Sequence, residues 1–318
     1  MSKAVLSAEH SYFARMNQFM KIIYAPGLHL GFAFFWFLSL QGQMVYQGNG
    51  AAWHFGGHTL LGGGTLFLVM FYLRAVDEVK DYAYDRQFNP DRPLVSGAVS
   101  FRDLYLFWGL SFLVIPVMNL AVDGVLMLFV TLNMLYGLLL IVLEKGLPWM
   151  HRSMFFNLAV TYPVSIALSF YTLVLSLKTQ SIAYDGALLA LIGVYILAFL
   201  HFELVRKNGW PDWAEPGERF YSQEIGPIGA ALAGFLCGLC AVVWMLVLNA
   251  PWTQNGLAAF TGWLPLVALV PAQKSLRLFL AGRQARFNPR KFAVLFLVLF
   301  YVQNLVHALM VNVLVLGA

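Results

Sequence analysis

Nine separate apolar stretches, each close to the length of a membrane span, decide what this 318-residue chain can become. A hydrocarbon core of about 30 Å needs about 20 helical residues at about 1.5 Å each. The stretches cover 22–40, 59–76, 104–122, 124–143, 154–177, 186–205, 226–248, 256–273 and 292–316. They are continuous apolar runs, not short alternating segments, so the spans are helices and not the strands of a barrel. With 60% hydrophobic and 11% charged residues, too little polar surface exists to cover a soluble domain of this size. The fold class expected is all-α, a polytopic membrane protein with nine transmembrane helices.

The formal net charge of +5 invites a nucleic-acid reading, which the positions of the basic residues exclude. With nine spans and the N-terminus inside, 19 of the 20 basic residues fall on inside segments, and only Lys178 lies outside. They run from Lys3, Arg15 and Lys21 to the cluster Arg283, Arg286, Arg290 and Lys291. This is the positive-inside bias, and it places the N-terminus in the cytoplasm and the C-terminus outside. The expected location is an integral, multi-pass position in a bacterial inner membrane, with the basic excess facing lipid headgroups and no nucleic-acid partner. The first apolar run begins near Ile22 and is long enough to remain a span, so no cleaved leader is expected.

No linker, low-complexity tract or break in composition divides the chain, so one domain over 1–318 is expected. Cys237 and Cys240 form a CxxC within an apolar span with no acid or histidine nearby, which reads as packing and not as a metal or redox site. Gly27 with Gly31, and Gly234 with Gly238, have the spacing of close helix packing. Pro116, Pro163 and Pro265 lie inside spans, where a proline either kinks the helix or is tolerated. Asn133, Asn157 and Asn304 also lie in spans, with helix-to-helix hydrogen bonding as the expected role.

Two inside connections are long, about 77–103 and 204–225. The first opens with DEVKDYAYD, four acids in nine positions where the second span ends. Asp77, Asp81 and Asp85 are spaced to stack along one helical face, with Glu78 on an overlapping face. Stacked carboxylates repel, so a cation belongs among them. Hard oxygen ligands suit Mg²⁺, which takes one or two carboxylates and completes its shell with water and phosphate oxygens. The alternative is a solvated helix end, its acids paired with Arg74, Lys80 and Arg86. Asn89-Pro90, Pro93 and Gly97 then break the helix, and Arg86 and Arg92 stand beside the acids where guanidinium groups can clamp phosphate.

These residues resemble the first signature of the UbiA superfamily of intramembrane prenyltransferases, N-D-x-x-D-x-x-x-D followed by R-P-L. Here Asp77 stands in the Asn place and Glu78 in the first Asp place, Asp81 and Asp85 match, and Arg92-Pro93-Leu94 matches the tail. The resemblance implies nine helices around a central cavity that opens near the cytoplasmic face. It implies Mg²⁺ held by Glu78, Asp81 and Asp85 with Asp77 in support, and a prenyl diphosphate as donor. The acceptor implied is an aromatic or other lipophilic small molecule. No protein partner is indicated.

The second loop departs from the family's D-x-x-x-D. It reads HFELVRKNGW, with Glu203 at the first acid position and Lys207 at the second. Either Arg206 and Lys207 contact diphosphate directly, or Glu203 and Lys207 form an i,i+4 pair that closes a helix. Tyr221 and Ser222, in FYSQEIG, either face the site or form the turn into the seventh span. His201 either lines the cavity or packs. His29, His54, His58 and His307 show no ligand spacing. The same fold with a non-aromatic acceptor, cyclisation or hydrolysis is one alternative, and a transporter with an acidic ion site is another. Transporter sites, however, lie near the bilayer midplane. The D-x-x-D-G-x-x-A-R core of CDP-alcohol phosphotransferases is absent.

Overall fold

The computed structural model describes residues 11–50 and 52–317, so Lys3 lies outside the described residues. The helices in chain order are α1 (Tyr12–Ile23), α2 (Pro26–Gln47), α3 (Gly57–Lys80), α4 (Tyr82–Phe88), α5 (Phe101–Leu120), α6 (Gly124–Gly146), α7 (Pro148–Arg152) and α8 (Met154–Thr161). They continue with α9 (Pro163–Thr179), α10 (Gly186–Arg206), α11 (Ser222–Ile225), α12 (Pro227–Asn249), α13 (Gly256–Gly262), α14 (Leu269–Leu280) and α15 (Pro289–Val311). Among the described residues, nine stretches are long and apolar enough to cross a membrane. They are α2, α3, α5, α6, α8 with α9, α10, α12 with the turn after it, α13 with α14, and α15. This is the expected architecture of an all-α, multi-pass membrane protein.

Two span boundaries differ from expectation, each for a local reason. The first span begins at Pro26 and not near Ile22, because Ala25 takes a left-handed φ of 45° and separates α1 from α2. A residue before proline is disfavoured in helix, while proline suits the first helical position. The last span ends at Val311, where the Asn312 side chain donates to the Ala308 and Gly42 carbonyls. Beyond it the chain forms β2 (Leu314–Leu316), which pairs in parallel with β1 (Trp53–Phe55), two short strands that the apolar pattern does not announce. The prolines divide as well. Pro116 sits inside continuous α5, whereas Pro163 opens α9 after a break at Tyr162, and Pro265 lies in a 3₁₀ turn that splits α13 from α14.

By contact density the chain forms two compact units, Met1–Phe34 with Leu60–Leu147, and Phe35–Thr59 with Pro148–Ala318. In the first, Met16, Phe19, Tyr24, Phe71, Ala75 and Leu104 form a buried core. Arg15 binds Asp103 through Nε at 3.0 Å and Nη2 at 2.6 Å, and Asp103 with Ser100 forms the capping box that starts α5. Asn119 of α5 donates to Thr65 of α3 at 3.0 Å, the inter-helix role expected of other asparagines. Asn304 instead donates to Phe300 of its own helix, whereas Asn157 of α8 donates to the Met150 carbonyl of α7 at 3.5 Å, a contact between neighbouring helices.

In the second unit α10 packs against α12 and α15. Tyr195 stacks on Tyr301 at 5.5 Å, and Trp36 stacks on Phe199 and Tyr301. Gly238 makes the close approach possible, since a Cβ there would lie 2.7 Å from His201 Nδ1 and 3.1 Å from Phe296. Gly234 likewise sits 2.7 Å from Val205 by the same measure. A Cβ at Gly27 or Gly31 would meet nothing within 4 Å among the described residues, so the packing expected of that pair is not found there. Gly238→Val should cost about 1–3 kcal/mol by overpacking, with Gly31→Val close to neutral. Thermal unfolding in detergent checks this, and equal losses at both positions would contradict it.

Candidate divalent-cation site at the end of α3

The acids do not ride on one unbroken helix. α3 ends at Lys80, Asp81 takes φ −88° and ψ 4° as the residue before α4, and α4 then runs to Phe88. The break is shallow, because Asp81 N still bonds the Asp77 carbonyl and Asp85 N the Asp81 carbonyl, both at 2.8 Å. The four carboxylates therefore remain close together but divide into two pairs. Glu78 and Asp85 are buried, at 2% and 4% exposure, whereas the side chains of Asp77 and Asp81 are about 40% exposed.

Each pair has its own cation. Arg92 Nη1 donates to Glu78 Oε1 at 2.9 Å, and its Nε stands 3.7 Å from Asp85 Oδ2. Asn89 Nδ2 donates to the other oxygen of Asp85 at 2.7 Å. Lys80 Nζ lies 3.2 Å from Asp77 and 3.6 Å from Asp81, and it also meets Glu144 of α6 at 3.4 Å. Arg74 adds weaker contacts to Asp77 and Glu78, at 3.8 and 3.9 Å. Arg86 lies exposed on α4 and takes no part in these pairs. Arg92 is held over the acids by its own loop: Leu94 and Val99, at 6% and 1% exposure, plug into the first unit's core, and Gly97 makes the turn between them with φ 78°.

These eight described side chains, five carboxylates and three cations, sum to a formal charge of −2. Glu78 Oε2 is buried without a hydrogen-bond partner, an unmet demand on a carboxylate oxygen. Among the described residues, no three His, Cys, Asp or Glu side chains gather into a closed metal cage. Mg²⁺ does not need one, since it takes few carboxylates and keeps several waters or phosphate oxygens. By donor chemistry, residual charge and the unmet oxygen, the residues fit that ion. Glu144 is a member of the cluster that the motif does not contain; the only sequence signal for it is a lone acid at the inside end of a span.

The second loop gathers around Glu203. Glu203, 7% exposed, receives Arg206 Nε and Nη2 at 2.6 Å each, with Lys207 Nζ at 3.5 Å and the Tyr221 hydroxyl at 3.4 Å. The i,i+4 pair foreseen from Glu203 and Lys207 is formed, and Arg206 joins it while lying over the Phe202 ring. Ser222 Oγ donates to the Gly209 carbonyl at 2.6 Å, and burial raises the Tyr221 phenol above its ordinary range. His201 is buried, its Nδ1 bonded to the Gly234 carbonyl at 2.8 Å and its ring against Phe296. Arg283, in the basic cluster, binds Asp212 at 2.9 Å.

Asp81 lies just beyond the end of α3, and desolvation pushes its carboxyl up to about 6, with Asp77, Glu144 and Asp85 adding to the rise and Lys80 opposing it. A carboxyl raised above its unfolded value of about 3.9 favours folding most when protonated, and that contribution fades as pH climbs from about 4 through about 6. Asp81→Asn removes this dependence. Without divalent cations, the Tm of Asp81→Asn relative to the native chain should therefore be higher at pH 8 than at pH 5. The same Tm difference at both pH values would contradict the shift.

No family model matches the chain, and no curated protein matches it. Its fold does match solved structures. A UbiA homolog from Aeropyrum pernix K1 superposes with TM-score 0.62 at 14% identity, over 88% of this chain and 98% of that one. A digeranylgeranylglyceryl phosphate synthase superposes with TM-score 0.62 at 11% identity, over 93% and 99%. A UbiA homolog from Archaeoglobus fulgidus, solved bound to DMAPP and Mg²⁺, superposes with TM-score 0.57 at 12% identity, over 92% and 98%. Across nearly its whole length, this chain has the fold of the UbiA homologs.

Proposed function

We propose that the chain is a Mg²⁺-dependent prenyltransferase. It moves an isoprenyl group from a prenyl diphosphate to an aromatic or other lipophilic acceptor and releases pyrophosphate. The observation that carries this reading is the cluster at the end of α3, whose buried Glu78 and Asp85 sit under Arg92 with a residual charge of −2. Two solved structures of a UbiA homolog from Archaeoglobus fulgidus with the same fold, one bound to DMAPP and Mg²⁺ and one to GPP and Mg²⁺, support it. A transporter would hold its acids near the bilayer midplane; these close a span and run on into the short helix α4.

Glu78, Asp81 and Asp85, with Asp77 in support, are the residues that would hold the ion. Mg²⁺ would neutralise the diphosphate and make it a better leaving group. Arg92 offers a guanidinium already positioned by its buried neighbours, and exposed Arg86 is free to turn toward phosphoryl oxygens. Arg206 and Lys207 form a second candidate pair for diphosphate oxygens, with Glu203 and Tyr221 setting their positions and Ser222 fixing the turn. As the C–O bond of the allylic diphosphate breaks, its electron pair leaves with pyrophosphate. The acceptor's nucleophilic atom bonds to the freed carbon and then loses a proton. Apolar spans keep water from the allylic cation. The positive-inside distribution supports pyrophosphate release on the cytoplasmic side of a bacterial inner membrane.

In nanodiscs supplied with Mg²⁺, a set of prenyl diphosphates and a membrane extract as acceptor pool, the chain should release pyrophosphate. Asp81→Asn and Asp85→Asn should lower that rate by about 10²-fold or more. Release that ignores Mg²⁺ and both substitutions would contradict the proposal.

A further inference from the structure

Lys80 is the last residue of α3, and its ammonium has three carboxylates within 3.6 Å, those of Asp77, Asp81 and Glu144. Its side chain is 14% exposed and that of Glu144 19% exposed, so the group is largely withdrawn from water. Asp77 and Asp81 belong to the set proposed to hold a divalent cation; Glu144, on α6, does not. A lysine ammonium is a compact charge on a flexible stem, able to change partners without disturbing the helix that carries it. Arg92, by contrast, is fixed by the buried residues of its own loop. With Lys80 matched to Glu144, the remaining four acids and two arginines keep the charge of −2 that a divalent ion would cancel. Independently, the unmet Oε2 of buried Glu78 points to a ligand at this cluster that Lys80 does not supply.

We infer that Lys80 is an exchangeable internal counter-ion: it holds Asp77 and Asp81 while the cation is absent and shifts onto Glu144 when the cation arrives. The inference rests on the cation site proposed above and assigns Glu144 as a positioning residue that acts through Lys80. Its advantage is physical. Carboxylates this close repel each other when unpaired, and a resident ammonium keeps the cluster folded between turnovers without closing it to a divalent ion.

The test is Mn²⁺ binding to the full chain in detergent, followed by electron paramagnetic resonance with no prenyl diphosphate present. Lys80→Gln should bind Mn²⁺ roughly tenfold more tightly, the scale of removing one positive charge within about 4 Å of the ligands, while its metal-free Tm falls. A purely structural lysine would lower Tm and weaken binding together. Glu144→Gln should weaken binding, and in the Lys80→Gln background it should have no further effect. Unchanged affinity in Lys80→Gln, or the same loss from Glu144→Gln in both backgrounds, overturns the inference alone. If Lys80→Gln does not fold, Lys80→Met takes its place in both backgrounds with the same expectations, and unchanged binding in Glu144→Gln alone overturns the exchange. No Mn²⁺ binding in any variant, the native chain included, overturns the cation site and the inference with it.

Discussion

Everything specific about this chain depends on keeping five carboxylates together at the edge of a membrane span. Burying a charge is costly unless it is paired and hydrogen-bonded. The chain meets that cost with Arg92 against Glu78 and Asp85, and with Lys80 among Asp77, Asp81 and Glu144. Neither counter-ion is incidental. Arg92 arrives on a loop anchored by Leu94 and Val99, and Lys80 ends the helix that carries two of its partners. These acids outnumber the basic side chains that contact them by two, and that excess is the ground for the cation site proposed above.

The second loop answers the same problem differently. Glu203 is buried and fully engaged by Arg206, Lys207 and Tyr221 within one turn of helix and the loop that follows. Glu203, Arg206 and Lys207 together carry a formal charge of +1, whereas the five acids and three basic side chains gathered at the end of α3 sum to −2. With Lys207 in the place of the second acid of a D-x-x-x-D, this turn carries a compact cationic point charge where that pattern has a carboxylate.

Much of this was legible in the residues. The nine spans could be read because a bilayer demands continuous apolar helices, and no competing interaction overrides that demand. The clustering of Glu78, Asp81, Asp85 and Arg92 follows from helical spacing and the R-P-L tail. Less legible were features set by partners distant in sequence. Glu144 joins the acids from another span, and β1 with β2 exists only because residues 53–55 and 314–316 meet. The break at Asp81 was also hidden, since YAYDRQF continues a good helical pattern and the bend costs little. Glycine spacing proved ambiguous in itself: Gly234 and Gly238 touch neighbours, while Gly27 and Gly31 with the same spacing do not.

The central claim is that the cluster at the end of α3 binds a divalent cation that in turn meets a diphosphate. The most direct measurement is pulsed electron paramagnetic resonance on the full chain with Mn²⁺ and a non-hydrolysable prenyl diphosphate analogue. The account predicts a phosphorus coupling to bound Mn²⁺ in the native chain that disappears in Glu78→Gln with Asp85→Asn. Bound Mn²⁺ with no phosphorus coupling, or a coupling that survives loss of both buried acids, would contradict it.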